Sequence, residues 1–222
     1  VFTRSAFPEN HAETLFALGV TYLNLQNLQS AYDAFAEAID TVDYLRGEII
    51  SGDEVKRKAN EKWVELYVLM VEACIRLNRH DKAVEYADRS KARNLSELIA
   101  ARDLYGSDIP EPTRLRLQKI RQNIAKEKER LQEVAQPNSN YLNQLREEFN
   151  RLSPYQPLTL ENIKNLLNEE TAIIEWYVAF QSNQFLTFTI LPNLSTQPSQ
   201  PDSGISLWQS SSEDLKNLVN WT

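Results

Sequence analysis

Leu18-Gly19, with Tyr22 three positions on and Ala31, Phe35 and Ala38 beyond a turn at Gln26-Asn27, constrains this chain more than any other feature. Small residues at Gly19 and Ala31 let two antiparallel helices approach closely, while Leu15, Leu18, Tyr22 and Phe35 fill the seam around them. The spacing predicts helices over 11–25 and 28–44. Their apolar stripes are Leu15, Leu18, Tyr22 and Leu25 on the first, and Ala31, Phe35, Ala38 and Ile39 on the second.

A second helix pair is expected over 60–78 and 81–104, because the turn Asn78-Arg79-His80-Asp81 precedes Ala83 much as the first turn precedes Ala31. These positions resemble those of the tetratricopeptide repeat (TPR). Its helix pairs recur about every 34 residues, whereas Ala83 follows Ala31 by 52, so about 18 residues are expected as an insertion around Arg46–Ala59. The second copy is degenerate: Val71 stands where the pattern has glycine, Ala87 where it has an aromatic, and Cys74 at the tyrosine position. The resemblance implies a protein-binding scaffold whose first helices line a concave groove. Repeats of this kind that grip a C-terminal carboxylate carry a lysine and an asparagine at the positions held here by Phe16 and Val20, which cannot supply that clamp. Phe16, Val20, Leu23 and Asn24 are therefore expected to form an apolar, weakly polar groove. Its guest would be an apolar peptide or another part of the same protein.

Composition narrows the chemistry. The chain has 222 residues, 42% of them hydrophobic, and only five glycines, which suits a mainly α protein with a real core. One cysteine and two histidines exclude a disulfide framework and a structural zinc site. No stretch approaches a membrane span and no signal peptide is evident, so a cytoplasmic location is expected. The net charge of −7 resides in residues 9–72, with 12 acids against 5 bases, which argues against nucleic acid at the repeats. Val1 is not methionine and the apolar pattern runs to Trp221, so the chain reads as a piece of something longer.

Beyond the repeats, Ile109-Pro110-Glu111-Pro112 interrupts the helices. Leu117, Ile120, Ile124, Leu131 and Val134, then Leu142, Leu145, Phe149 and Leu152, predict a long antiparallel helical hairpin. Glu127 sits where that seam wants an apolar residue, so the hairpin should lean on something else. After Ser153-Pro154 the period changes. Thr159 can cap a short helix, and 171–180, 184–191 and 204–209 are β-branched and aromatic runs that predict three strands. Residues 192–203 read as a loop, and Ser211-Ser212-Glu213-Asp214 as the start of a last helix.

Catalytic and metal roles find little support. Cys74 and His80 are six apart across a turn, and the cysteine's place in the repeat points to packing rather than to an activated nucleophile. His11 reads as a surface or capping residue. Asp33, Glu37 and Asp40 share a helix flank without a histidine cluster or glycine loop, which reads as exposed acids. The basic run Arg114, Arg116, Lys119, Arg121, Lys126, Lys128 and Arg130 is broken by Glu127, Glu129 and Glu133 and reads as a solvated face with helical ion pairs.

The run from Ala83 to Leu98, the charged hairpin, and the stretches Leu158–Val178, Phe185–Ile190 and Ile205–Trp208 together are similar to bacterial TPR-CHAT proteins, in which a caspase-like CHAT domain follows the repeats. CHAT domains resemble clan CD cysteine peptidases, whose His base and Cys nucleophile follow later strands. No position here matches them. The resemblance implies three parts: TPR-type helical repeats over 1–108, a helical-hairpin linker over 109–153, and the truncated start of an α+β domain over 154–222. The expected function is non-catalytic binding and regulation, with no catalytic residue, metal or cofactor in this stretch; a full-length protein could be a peptidase. A stand-alone scaffold with an accessory β domain is the alternative. Expected partners are a protein or peptide, and a second copy through the open sheet edge, rather than nucleic acid or a membrane. The apolar sheet face around Ile174, Trp176, Phe188 and Trp208 needs a cover: the hairpin, a neighbouring copy, or disorder of the β part.

Overall fold

A computed structural model describes residues 3–45, 54–101, 109–133, 138–153, 157–179, 184–192, 204–211, 213, 214, 216 and 217, with side chains described in the third and fourth helices only over 63–91. Four helices come first: α1 (Pro8–Asn24), α2 (Leu28–Tyr44), α3 (Glu54–Arg76) and α4 (His80–Ala101). Then come α5 (Glu111–Gln132), α6 (Asn140–Leu152), α7 (Leu160–Lys164), β1 (Ile173–Ala179), β2 (Gln184–Ile190) and β3 (Ile205–Gln209). The chain is mainly α, with a small three-stranded antiparallel sheet near its end.

Gly19 does what its spacing predicts. A Cβ placed there would lie 2.4 Å from Cε1 and 2.5 Å from Cδ1 of Phe35, so the bare backbone of α1 is what allows the buried ring of α2 to seat. Leu15 and Tyr22 pack against the same core. Leu18, expected in the seam, is instead 40% exposed.

The repeat is visible in the turns. Gln26 and Asn78 both adopt φ near +55°, at 58° and 55°. Around Gln26 the amide of Asn27 donates to Tyr22 O (2.9 Å) and that of Gln26 to Leu23 O (3.0 Å). Around Asn78 the amide of Arg79 donates to Cys74 O (2.8 Å) and that of Asn78 to Ile75 O (2.9 Å). This is the Schellman pairing, which closes a helix by satisfying its last carbonyls, repeated 52 residues apart. Of the expected insertion, residues 46–53 lie outside the described residues. The charged run from Glu54 onward is helical and lengthens α3 rather than forming a loop.

Helix α7 opens on a reciprocal cap: Thr159 Oγ1 accepts from the Asn162 amide, and Asn162 Oδ1 accepts from the Thr159 amide. The sheet order is β1-β2-β3, with Glu175 opposite Phe188 and Trp176 opposite Thr187, which in turn faces Trp208. This parity decides the faces. Tyr177, Leu186, Phe188, Ile190 and Ile205 point inward and join one continuous core with Ala83, Val84 and Ala87 of α4 and with Leu66–Val71, Ala73 and Cys74 of α3. Phe188 is therefore a core residue, while Ile174, Trp176 and Trp208 stay on the outer face, 57%, 58% and 56% exposed.

The sheet touches α4 through β3 and shares one core with the first four helices and α7, rather than with the α5–α6 hairpin. That hairpin keeps a separate core of Leu117, Ile120, Ile124, Leu142, Leu145 and Phe149. Buried Glu127 interrupts it, and its carboxylate accepts two bonds from Arg130, at 2.6 and 2.9 Å. The hairpin does lean on something else, namely the first repeat. Tyr44 Oη donates to Asn143 O (3.4 Å), and Asn150 Nδ2 donates to Tyr44 O (3.0 Å). Ser139 and Asn143 both donate to Ser5 O, and Lys128 pairs with Glu9.

Candidate binding surface

The candidate groove lies on α1, which packs on α2 and touches α3, itself packed on α2. Phe16 is half-buried and tilts against Phe35, with ring centroids 6.2 Å apart. Val20 is half-buried against the core, and Asn24 is exposed. Leu23 belongs to the buried core and offers no surface. Three of the four residues thus border an accessible face.

The same offset that relates the turns assigns this face a second half. Phe16, Val20 and Asn24 correspond to Val68, Glu72 and Arg76. Val68 is buried, whereas Glu72 and Arg76 form an ion pair one turn apart, 3.6 Å long, with side chains about a third exposed. The surface is therefore apolar on α1 and charged on α3. Sequence reasoning missed this half because it followed the repeat through its small core positions and did not carry the offset to the outward ones.

Behind this face the two pairs are locked by Arg89. Its Nε donates to Asp43 Oδ2 (2.7 Å) and its Nη2 to Asp40 Oδ1 (2.9 Å), while Tyr67 Oη donates to Asp43 Oδ1 (3.0 Å). Burial works against the guanidinium's charge, but Asp43, Tyr67 and Asp40 outweigh it and hold the pKa above the ordinary value. Asp40 is thus an ion-pair partner, Asp33 accepts from Gln29 Nε2 (2.7 Å), and Glu37 lies 3.2 Å from His11 Nε2. Among the described residues no cluster of His, Cys, Asp and Glu could hold a metal ion.

Cys74 is fully buried, and burial first, then Asp81, pushes its thiol up to about 12. A thiol in that state is not a poised nucleophile. The basic run of α5 is occupied in part by acids: Arg116 pairs with Glu148, Arg130 with Glu127, Lys128 with Glu9 and Arg114 with Glu111. Among the described residues no helix is long and apolar enough to cross a membrane.

A helix hairpin closed by a Schellman turn, with a glycine seated under an aromatic, defines a class of helical-repeat scaffold. The family is plain for its first unit: residues 12–41 match the tetratricopeptide repeat, so α1 and α2 carry a TPR. No curated protein and no solved structure matches the chain.

Proposed function

We propose that this chain is a protein-binding and regulatory arm of a TPR-CHAT protein, non-catalytic in itself, with its sheet forming the opening of the CHAT domain. A TPR is a protein-interaction module, and the one over α1 and α2 supports the binding half of this reading. The observation that carries it is the two-part face: Phe16 and Val20 are half-buried on α1, and the Glu72–Arg76 pair holds the positions of α3 that correspond to Val20 and Asn24. Such a face suits an apolar peptide flanked by charge rather than a bare C-terminal carboxylate. The order of repeats, charged hairpin and antiparallel sheet supports the regulatory half. Burial of Cys74 supports a stretch without a nucleophile of its own.

The test is affinity capture with the full-length protein and with Phe16→Glu, Val20→Glu and Arg76→Glu. Arg76 lies outside the core, so its reversal separates lost binding from lost folding. Unchanged partners in all three variants refute the surface. The alternative, a stand-alone scaffold with an accessory sheet, is decided by the full gene product. A strand-borne His and Cys encoded past residue 222 would support the CHAT reading, and their absence the alternative.

A further inference from the structure

Helix α1 turns to solvent a face that its counterpart in the second repeat hides. Thr14, Ala17, Leu18, Thr21 and Leu25 are all exposed, Leu18 by 40% and Leu25 by 71%. The offset that relates the two turns carries Thr14, Leu18 and Thr21 to Leu66, Met70 and Ala73 of α3, and those three are fully buried. The difference is a neighbour. Helix α3 packs on α2 as well as on its own partner α4, whereas among the described residues no helix covers this side of α1.

Nothing polar opposes covering it. The chain has no charged residue between Glu13 and Asp33, although a helix flank left in water ordinarily carries charge. Its hydroxyls are already satisfied: Thr14 Oγ1 donates to Asn10 O (2.7 Å) and Thr21 Oγ1 to Ala17 O (2.9 Å), so burial would strand no donor.

The spacing points to the cover. Thr14, Leu18, Thr21 and Leu25 recur at intervals of 4, 3 and 4, the heptad seam of a helix that packs lengthwise on another. Set antiparallel against itself about a two-fold axis between Gly19 and Val20, the seam brings Leu18 level with the partner's Thr21 and Leu25 level with the partner's Thr14. Every layer sets large against small. Glu13 falls level with the partner's Gln26, so a chain of net charge −7 meets no like charge along the seam. Head-to-tail stacking of copies is closed, because the sheet and α7 lie on α4 at the other end of the repeats.

We infer that a second copy of this chain docks on this face, α1 on α1 in antiparallel register, as a two-fold dimer. Two helix flanks alone bury less than a standard interface of about 1,600 Å², which makes the dimer weak and concentration-dependent.

Sedimentation equilibrium of the parent should show monomer and dimer in exchange. Leu18→Glu/Leu25→Glu, at exposed positions outside the core, should weaken the dimer roughly tenfold or more. Register is tested separately: under mild oxidant, a mixture of Leu18→Cys and Thr21→Cys proteins should form several-fold more disulfide-linked dimer than either alone, with buried Cys74 silent. A parent that stays monomeric up to about 0.1 mM overturns the proposal, as does a dimer that the double variant leaves unchanged. Protection of the Leu18→Cys thiol in a monomeric, longer gene product also overturns it, in favour of a preceding helix pair on the same face.

Discussion

Exchanging the Gly19–Phe35 pair for its counterpart in the second repeat tests whether the two helix pairs share one packing rule. The counterparts, Val71 and Ala87, are both fully buried, so the bulk sits on the second helix in one pair and on the first in the other. Phe35→Ala removes a fully buried ring and should cost about 3–5 kcal/mol. Gly19→Val forces a Cβ to within 2.4 Å of that ring, and the clash should cost about 1–3 kcal/mol net of the better helix propensity of valine. With both changes, valine grows into space the ring has left. The double variant should therefore recover about 1–3 kcal/mol relative to the sum of the singles. Urea unfolding of the four proteins gives the coupling directly. Additivity to within about 0.5 kcal/mol would refute the exchange.

Gln26→Gly should stabilise the chain by about 0.5–1 kcal/mol, because Gln26 sits at φ 58° where a side chain is strained, and a fall in melting temperature would count against the Schellman assignment. Cys74 should react with iodoacetamide only as fast as the protein unfolds; rapid labelling in native buffer would contradict its burial. Asp88 is held above the ordinary carboxylate value by burial and then by Glu175, with Lys91 opposing. A raised folded value means its stabilising contribution is complete at acid pH and lost as pH rises through that value. Asp88→Asn should accordingly melt higher than the parent at neutral pH, and the gap should close in acid; a constant gap would refute the linkage.

Elements governed by local chemistry were legible in the sequence. The turn at Gln26-Asn27, the cap at Thr159, the strand over Gln184–Ile190 and the glycine under Phe35 all act within a few residues or across one turn. What depended on distant neighbours was harder. Phe188 was grouped with Trp176 and Trp208, although the register sets it opposite Glu175 and on the other face. The run Glu54–Lys58 falls within the insertion expected around Arg46–Ala59, because apolar periodicity begins only beyond it, yet it is the first turn and more of α3. On the candidate surface, the partial exposure of Phe16 and Val20 on α1 accords with the repeat, while the burial of Leu23 does not follow from it. Whether a residue one turn on faces outward or into the core depends on the neighbouring helices.

The shared core also separates the order of the chain from the order of its packing. Lys91 of α4 binds Glu175 (2.6 Å) and the carbonyl of Trp176, fastening β1 to the second helix pair. The hairpin, though it stands between repeats and sheet in sequence, rests on the first helix pair instead. Cutting the gene at residue 153 would therefore divide a folded unit, because sheet and repeat helices bury one continuous core.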